Sequence, residues 1–443
     1  MKTKNRNVIK KSLLGIFSAA AIMAGSVIPV FAEDVSGTTL TSVGSFNKVY
    51  SLQAPTTVPG SNFQSQATSF QFTSGSSDET DSILGEAKLV AVSHSHFNTE
   101  ATAQQTLVDL QNAGQAVPTS TDTQMFVYVG TIDNSNMFTS DIAFNAGDAK
   151  LDDKTKEGTP KTVYIYVPSN YKFSYAGAYY YQFHESKGTT PGTTYNDSTY
   201  TIRLVVESKK DENNNNAIYA INADKTEITT TALDQNNEAK TVKVNDVENY
   251  YGAGELNFTK NIKGTLGDIT QKFIIEVKLF DDNVNNGVSL GNIYASVNTP
   301  VEYTSSSDIT TIPNNHLISW ANGDTKKFAV TDQTTYTLDN IPDRVTYTVT
   351  EYRPESDATS NQYAVTYAGT ILEKGKEDRA LSEENGSVTS TMGKAQIHNI
   401  IITNTRDTTL DTGVFTSNLP YFIILFAAAG GLVIFLVSKK HRT

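Results

Sequence analysis

Lysine, glutamate and asparagine can be joined by chemistry when a fold presses them together, and this sequence offers that set twice. In Phe46-Asn47-Lys48-Val49-Tyr50 the two-residue period of a strand puts Lys48 on one face with Phe46 and Tyr50. In Leu256 to Ile262 the same period puts Lys260 with Leu256, Phe258 and Ile262. Glu185 is in phase with Tyr181 and Phe183, and Glu351 with Val345, Tyr347 and Val349. Asn249 shares a face with Val247 and Tyr251. Asn404 follows Ile400 and Ile402, although Ile397 and Ile401 leave the inward face of that last strand open. Burial disfavours charge, so it lowers the proton affinity of a lysine and raises that of a glutamate. The uncharged amine is a nucleophile. A protonated carboxyl can hydrogen-bond the asparagine carboxamide oxygen, polarise it and shuttle protons as ammonia leaves. The product is a Lys–Asn isopeptide bond. Amides are poor electrophiles, so the step depends on enforced contact, where effective molarities reach about 10⁵ M or more. A single inward polar residue near a strand end is usually a solvated rim group. Six at matching positions in two halves weigh against that alternative.

These side chains need strands to aim them, and the chain reads as β almost throughout. Short alternating runs of Thr, Val, Tyr and Phe are separated by Gly, Asn, Asp and Pro clusters, and a helical period shows only weakly near Ala103–Gln111. Phe273, Ile275, Val277 and Leu279 alternate with Ile274, Glu276 and Lys278. Tyr200–Val206 and Ala217–Ile221 flank a polar hairpin tip. The expected fold is all-β, two tandem immunoglobulin-like β-sandwich domains, at 33–253 and 254–408, with the boundary near Gly252–Gly254. The 443 residues carry a net charge of −12, which argues against nucleic acid and anionic membranes as partners. With no cysteine there are no disulfides or thiolate metal sites, and another covalent staple becomes attractive.

The two ends read as export and anchoring signals. Lys2, Lys4, Arg6, Lys10 and Lys11 precede an apolar run that closes on Val30-Phe31-Ala32, so residues 1–32 are read as a signal peptide with the mature chain starting at Glu33. Leu419 to Val437 is long enough to cross a bilayer, and Lys439, Lys440 and Arg442 behind it orient the C-terminus inward. A permanent single-span anchor is the plain alternative.

Other motifs carry less. Asp411-Thr412-Gly413 matches an aspartic-protease triplet, but that mechanism needs two such carboxylates and no second copy exists. His94-Ser95-His96 has no carboxylate or third histidine beside it. Asp281 to Gly287 has the look of a calcium loop, yet its glycine comes one place late and Asn292 stands where a glutamate is required, so an ordinary turn is expected. No cofactor and no metal are called for.

The runs Lys260-Asn261-Ile262-Lys263-Gly264-Thr265-Leu266-Gly267-Asp268, Lys272 to Val277, Tyr347-Thr348-Val349-Thr350-Glu351 and Ile402-Thr403-Asn404-Thr405 resemble the pilin isopeptide-linkage domain of Gram-positive backbone pilins. Ala178 to Glu185 and Val247 to Tyr251 resemble the corresponding segments of a first such domain. The resemblance implies that Lys260 joins Asn404 with Glu351 as catalyst, and that Lys48 joins Asn249 under Glu185. It also implies a sorting signal at 409–443: motif, apolar span and basic tail. Thr409-Leu410-Asp411-Thr412-Gly413 keeps the Thr-Gly of a sortase motif but lacks its proline, and a sortase would cleave between Thr412 and Gly413. In such pilins the acceptor amine lies shortly before the bonding asparagine of the first domain, which points to Lys243, or next to Lys240. The expected protein is not an enzyme but a structural subunit of a cell-surface, wall-linked pilus. Its partners would be sortase, identical subunits, tip and base pilins, peptidoglycan and a host ligand. The alternative is a singly anchored adhesin or minor pilin.

Overall fold

The computed structural model describes residues 31–33, 39–55, 62–79, 84–93, 127–132, 138–151, 158–169, 173, 176–210, 213, 217–233, 235–301, 316–353 and 362–407. The weak helical stretch, the His94–His96 pair, the apolar span and Thr412-Gly413 lie outside them. So does the signal segment, except that its expected cleavage point falls within a short strand, Phe31–Glu33.

The fold is all-β. Around the first half's core, strand Thr39–Gln53 pairs antiparallel with Thr159–Pro168 and parallel with residues 246–252. Strand Gly177–Glu185 pairs with Thr199–Lys210, which also pairs with Ala217–Ile221 and Glu227–Leu233. In the second half a five-stranded sheet is centred on Phe273–Phe280 and Thr346–Tyr352. The other layer there pairs residues 255–263 parallel with Gln396–Thr405 and antiparallel with Thr335–Pro342. Alternation of apolar and polar residues drives these layers together: Ile275, Val277 and Leu279 are fully buried while Lys278 between them is exposed.

Two large apolar clusters result, one running from Val43 to Ala253 and one from Leu256 to Ile402, with two small ones beside the first. The first is rich in edge-to-face rings, such as Phe46 with Phe72 and Tyr50 with Phe70. The second stacks Phe258 on Tyr336 and surrounds the fully buried Trp320.

No linker separates the clusters. Strand Asp246–Lys263 is 18 residues long and serves both halves without a break. The Gly252-Ala253-Gly254 stretch, which reads as a boundary in the sequence, is extended strand. Its glycines are there for close approach: a Cβ on Gly252 would lie 2.8 Å from the Asp343 Cβ and 2.9 Å from the Lys394 Cβ. The first half also reaches over onto the second. Asn340, held at a left-handed φ of 67°, accepts from the Gln64 N–H and donates to the Gln64 carbonyl, while Gln66 donates to the Leu290 carbonyl at 2.7 Å and Arg344 to the Thr193 carbonyl at 2.8 Å.

Candidate functional site

The six in-phase residues come together in space as two triads, one in each core. Lys48 is in mid-strand at Thr39–Gln53, opposite Val247 of the parallel strand that also carries Asn249. Glu185 ends the strand Gly177–Glu185 and enters from the facing layer. The Lys48 Nζ donates to Glu185 Oε2 at 2.5 Å and touches the Asn249 carboxamide oxygen; Asn249 Nδ2 donates to Glu185 Oε1 at 2.5 Å. Both side chains of the ion pair are wholly shielded from water. Two backbone groups complete this site. The Asn196 N–H donates to Glu185 Oε1 at 3.1 Å, and the Thr194 carbonyl accepts from Asn249 at 2.6 Å.

The second triad repeats the plan. Lys260 and Asn404 lie on adjacent parallel strands, with Lys260 opposite Ile402 and Asn404 opposite Ile262, and Glu351 faces them from the five-stranded sheet. Lys260 Nζ donates to Glu351 Oε2 at 2.5 Å and Asn404 Nδ2 to Glu351 Oε1 at 3.0 Å. The open question about the last strand is settled in favour of the even positions: His398, Ile400, Ile402 and Asn404 are all buried, and Ile397 and Ile401 only partly.

Burial is the dominant electrostatic influence on both lysines. It pulls Lys48 down to about 8 against the opposing attraction of Glu185. It pulls Lys260 to about 8 against Glu351, with help from the positive charge of Arg353. At neutral pH the free-amine form is therefore more accessible to these two lysines than to an ordinary one. The first site holds an amine, a carboxyl group and a carboxamide in mutual contact within the core, whereas in the second the amine and the carboxamide each hold one oxygen of the carboxylate and the Asn404 carboxamide oxygen is buried without a hydrogen-bond partner.

Several members escaped the sequence. Under each ammonium lies an aromatic face, Phe70 at 4.3 Å from Lys48 and Phe273 at 4.4 Å from Lys260. Arg353 Nε donates to Glu351 Oε1 at 2.8 Å, and the Tyr367 hydroxyl accepts from the Glu351 N–H. Arg353 was within reach of the two-residue period, being two places beyond Glu351; Asn196 and Thr194 lie on a loop and had no periodic signal.

The other candidates behave as ordinary structure. Asp281 accepts from the Asn283 N–H, and Asn322 donates to the carbonyls of Asp281 and Val284, so the would-be calcium loop is a turn closed by an asparagine. Lys240 and Lys243 are both exposed on strand Ala239–Lys243, which pairs only with Glu227–Leu233 among the described residues, and Val244 beyond them packs on the first core.

Residues 254–406 match a family described as a domain of unknown function, DUF7601. A curated relative named "Pilin", from Streptococcus pyogenes serotype M1, is 24% identical over 341 residues, spanning 75% of this chain and 89% of the relative. Among solved structures, the major pilin of Streptococcus pyogenes aligns over 82% of this chain and 98% of its own, with 16% identity and a TM-score of 0.40. A pilus-presented adhesin aligns over 48% of this chain and 37% of its own, with 14% identity and a TM-score of 0.23.

Proposed function

We propose that the chain is a structural subunit of a covalently assembled cell-surface pilus, stapled internally by Lys48–Asn249 and Lys260–Asn404 bonds. The observation that carries this is the pair of buried triads, each with its lysine touching a carboxylate that also binds the asparagine. The similarity to a streptococcal pilin along three-quarters of the chain supports the same reading. Glu185 and Glu351 act as proton carriers, relaying a proton from the lysine ammonium to the departing amine. The chemistry runs once, within the chain, so the protein is a substrate of its own fold rather than an enzyme. Assembly is by a sortase whose cysteine attacks the Thr412 carbonyl, releases Gly413 onward and passes the acyl group to a lysine of the next subunit or to peptidoglycan. Secretion, a transient membrane hold through the C-terminal span, and tip and base pilins belong to this reading.

Intact mass tests the staples. The purified protein is expected to be lighter than its mature sequence by two ammonia molecules, and a full sequence mass would refute the bonds. Assembly is read separately. Wall extracts probed for the subunit should give a ladder of high-mass species, whereas a single band would mark a singly anchored adhesin. Lys243→Arg keeps the charge and removes the primary amine, so it should collapse the ladder. A full ladder would move the acceptor to Lys240.

A further inference from the structure

The two triads are built alike but are not surrounded alike. Glu185 meets Lys48, Asn249 and the Asn196 N–H; Tyr200, which burial holds in its neutral form, lies in electrostatic reach, and Asp78, His184, Asp197 and the exposed Lys187 line the cavity beside it without an ion pair to it. Among the described residues the only cation in contact with Glu185 is the lysine itself. Glu351 meets Lys260, Asn404 and Tyr367, with Asp332 in electrostatic reach of the lysine, and it has a second cation: Arg353, whose side chain is 25% exposed and which also donates to the Tyr363 carbonyl at 2.8 Å.

We infer that Arg353 is a positioning residue and permanent counter-ion that lets the second site finish its reaction with an ionised Glu351, whereas the first site finishes with a protonated Glu185. This rests on the bond-forming reading above. The charge balance separates the two. In each site an ammonium, a carboxylate and a carboxamide enter; the lysine nitrogen bonds to the carboxamide carbon and the C–N bond to the asparagine nitrogen breaks. In the first site the ammonium's loss strips Glu185 of its partner, and a bare carboxylate in a dry core is costly. One lysine proton therefore stays on Glu185 and neutral ammonia leaves. In the second site Glu351 keeps a guanidinium on Oε1, so both protons lost by the lysine depart with the amine, as ammonium. Atoms and charge balance in both cases. The same guanidinium opposes a proton on Lys260, so it acts on the nucleophile as well as on the finished site.

Carboxyl ¹³C spectra of the purified bonded protein, labelled at glutamate Cδ, read this directly, alongside intact mass. At pH 7 Glu185 should resonate as a protonated carboxyl and Glu351 with the ionised glutamates. Arg353→Met should move the Glu351 signal to the protonated position, and Arg353→Lys should leave it in place, a distinction that a merely structural arginine would not produce. A parent lacking both ammonia losses overturns the bond-forming reading and this inference with it. A parent with both losses but a protonated Glu351, or an Arg353→Met protein whose Glu351 stays ionised, overturns this inference alone. Should Arg353→Met fail to fold, the parent spectrum decides.

Discussion

The first and second triads share their geometry to within a few tenths of an ångström at the lysine–glutamate contact, 2.5 Å in both, yet one glutamate has a single cation and the other has two. That difference teaches which part of the site is required and which is adjustable. Lysine, glutamate, asparagine and the aromatic face under the amine are present twice. The route by which charge leaves is not. Chain entropy and electrostatics then make opposing forecasts for the two halves.

The largest expected effects are those of Glu185→Ala and Glu351→Ala, each of which should restore one ammonia to the mass and lower Tm strongly. Closing 201 residues between Lys48 and Asn249 restricts the unfolded chain by about 5 kcal/mol in the loop-entropy view. The loop from 260 to 404 is shorter, but the logarithm makes the gap only about 0.3 kcal/mol. On loop entropy alone the two variants should melt almost together. Each variant strands one buried lysine, Lys48 or Lys260, but Glu351→Ala also strips the partly exposed Arg353 of its carboxylate, an added cost that Glu185→Ala does not carry. The second variant should therefore melt lower in thermal scans; equal values would mean that Arg353 finds water instead.

A smaller, pH-dependent effect sits at the junction. Glu255, 3% exposed beside Asp339, is pushed up to about 7, chiefly by burial, and Asp339 is raised too, again chiefly by burial. The N–H of Asn62, from the first half, caps Asp339 at 3.2 Å. Because the folded protein holds Glu255's proton more tightly than the unfolded chain, this stability is complete below about pH 4.5 and fades as pH rises through about 7. Glu255→Gln should consequently raise Tm at pH 8, by up to about 3 kcal/mol of stability, and change little at pH 4. A pH-independent shift in paired melts would rule out a proton held by Glu255 in the folded protein.

The smallest effect calibrates the rest. Lys225 meets Glu207 at 2.6 Å, but the lysine side chain is 54% exposed, so Lys225→Ala should cost less than about 1 kcal/mol in denaturant titrations. A larger loss would show that this exposed pair is not typical of surface ion pairs.

Much of this was legible in the sequence because a strand's period is rigid. Knowing that Tyr347 and Val349 face inward fixes Glu351, and Leu256 with Phe258 fixes Lys260. The alternation failed where both faces are half-covered: Ile397 and Ile401 pack partly, so apolar residues stand on both sides of Asn404. It was silent on Phe70 and Asn196, whose places depend on how distant segments cross. Gly252 and Gly254 stand where one core gives way to the next, but what they do there was not legible: glycine is as much a licence for backbone crowding as for a bend, and composition does not tell the two apart.

The unbroken strand Asp246–Lys263 has a mechanical meaning. From Asn249 to Lys260 it spans about 36 Å of already extended backbone. With both bonds closed, a pull entering the edge strand near Lys243 and leaving after Asn404 passes through this rod and the Lys260–Asn404 bridge, so sheets, loops and cores lie beside the line of force rather than on it. Stretching the subunit would then mean straining covalent geometry, and the elastic give of an assembled fibre would reside between subunits.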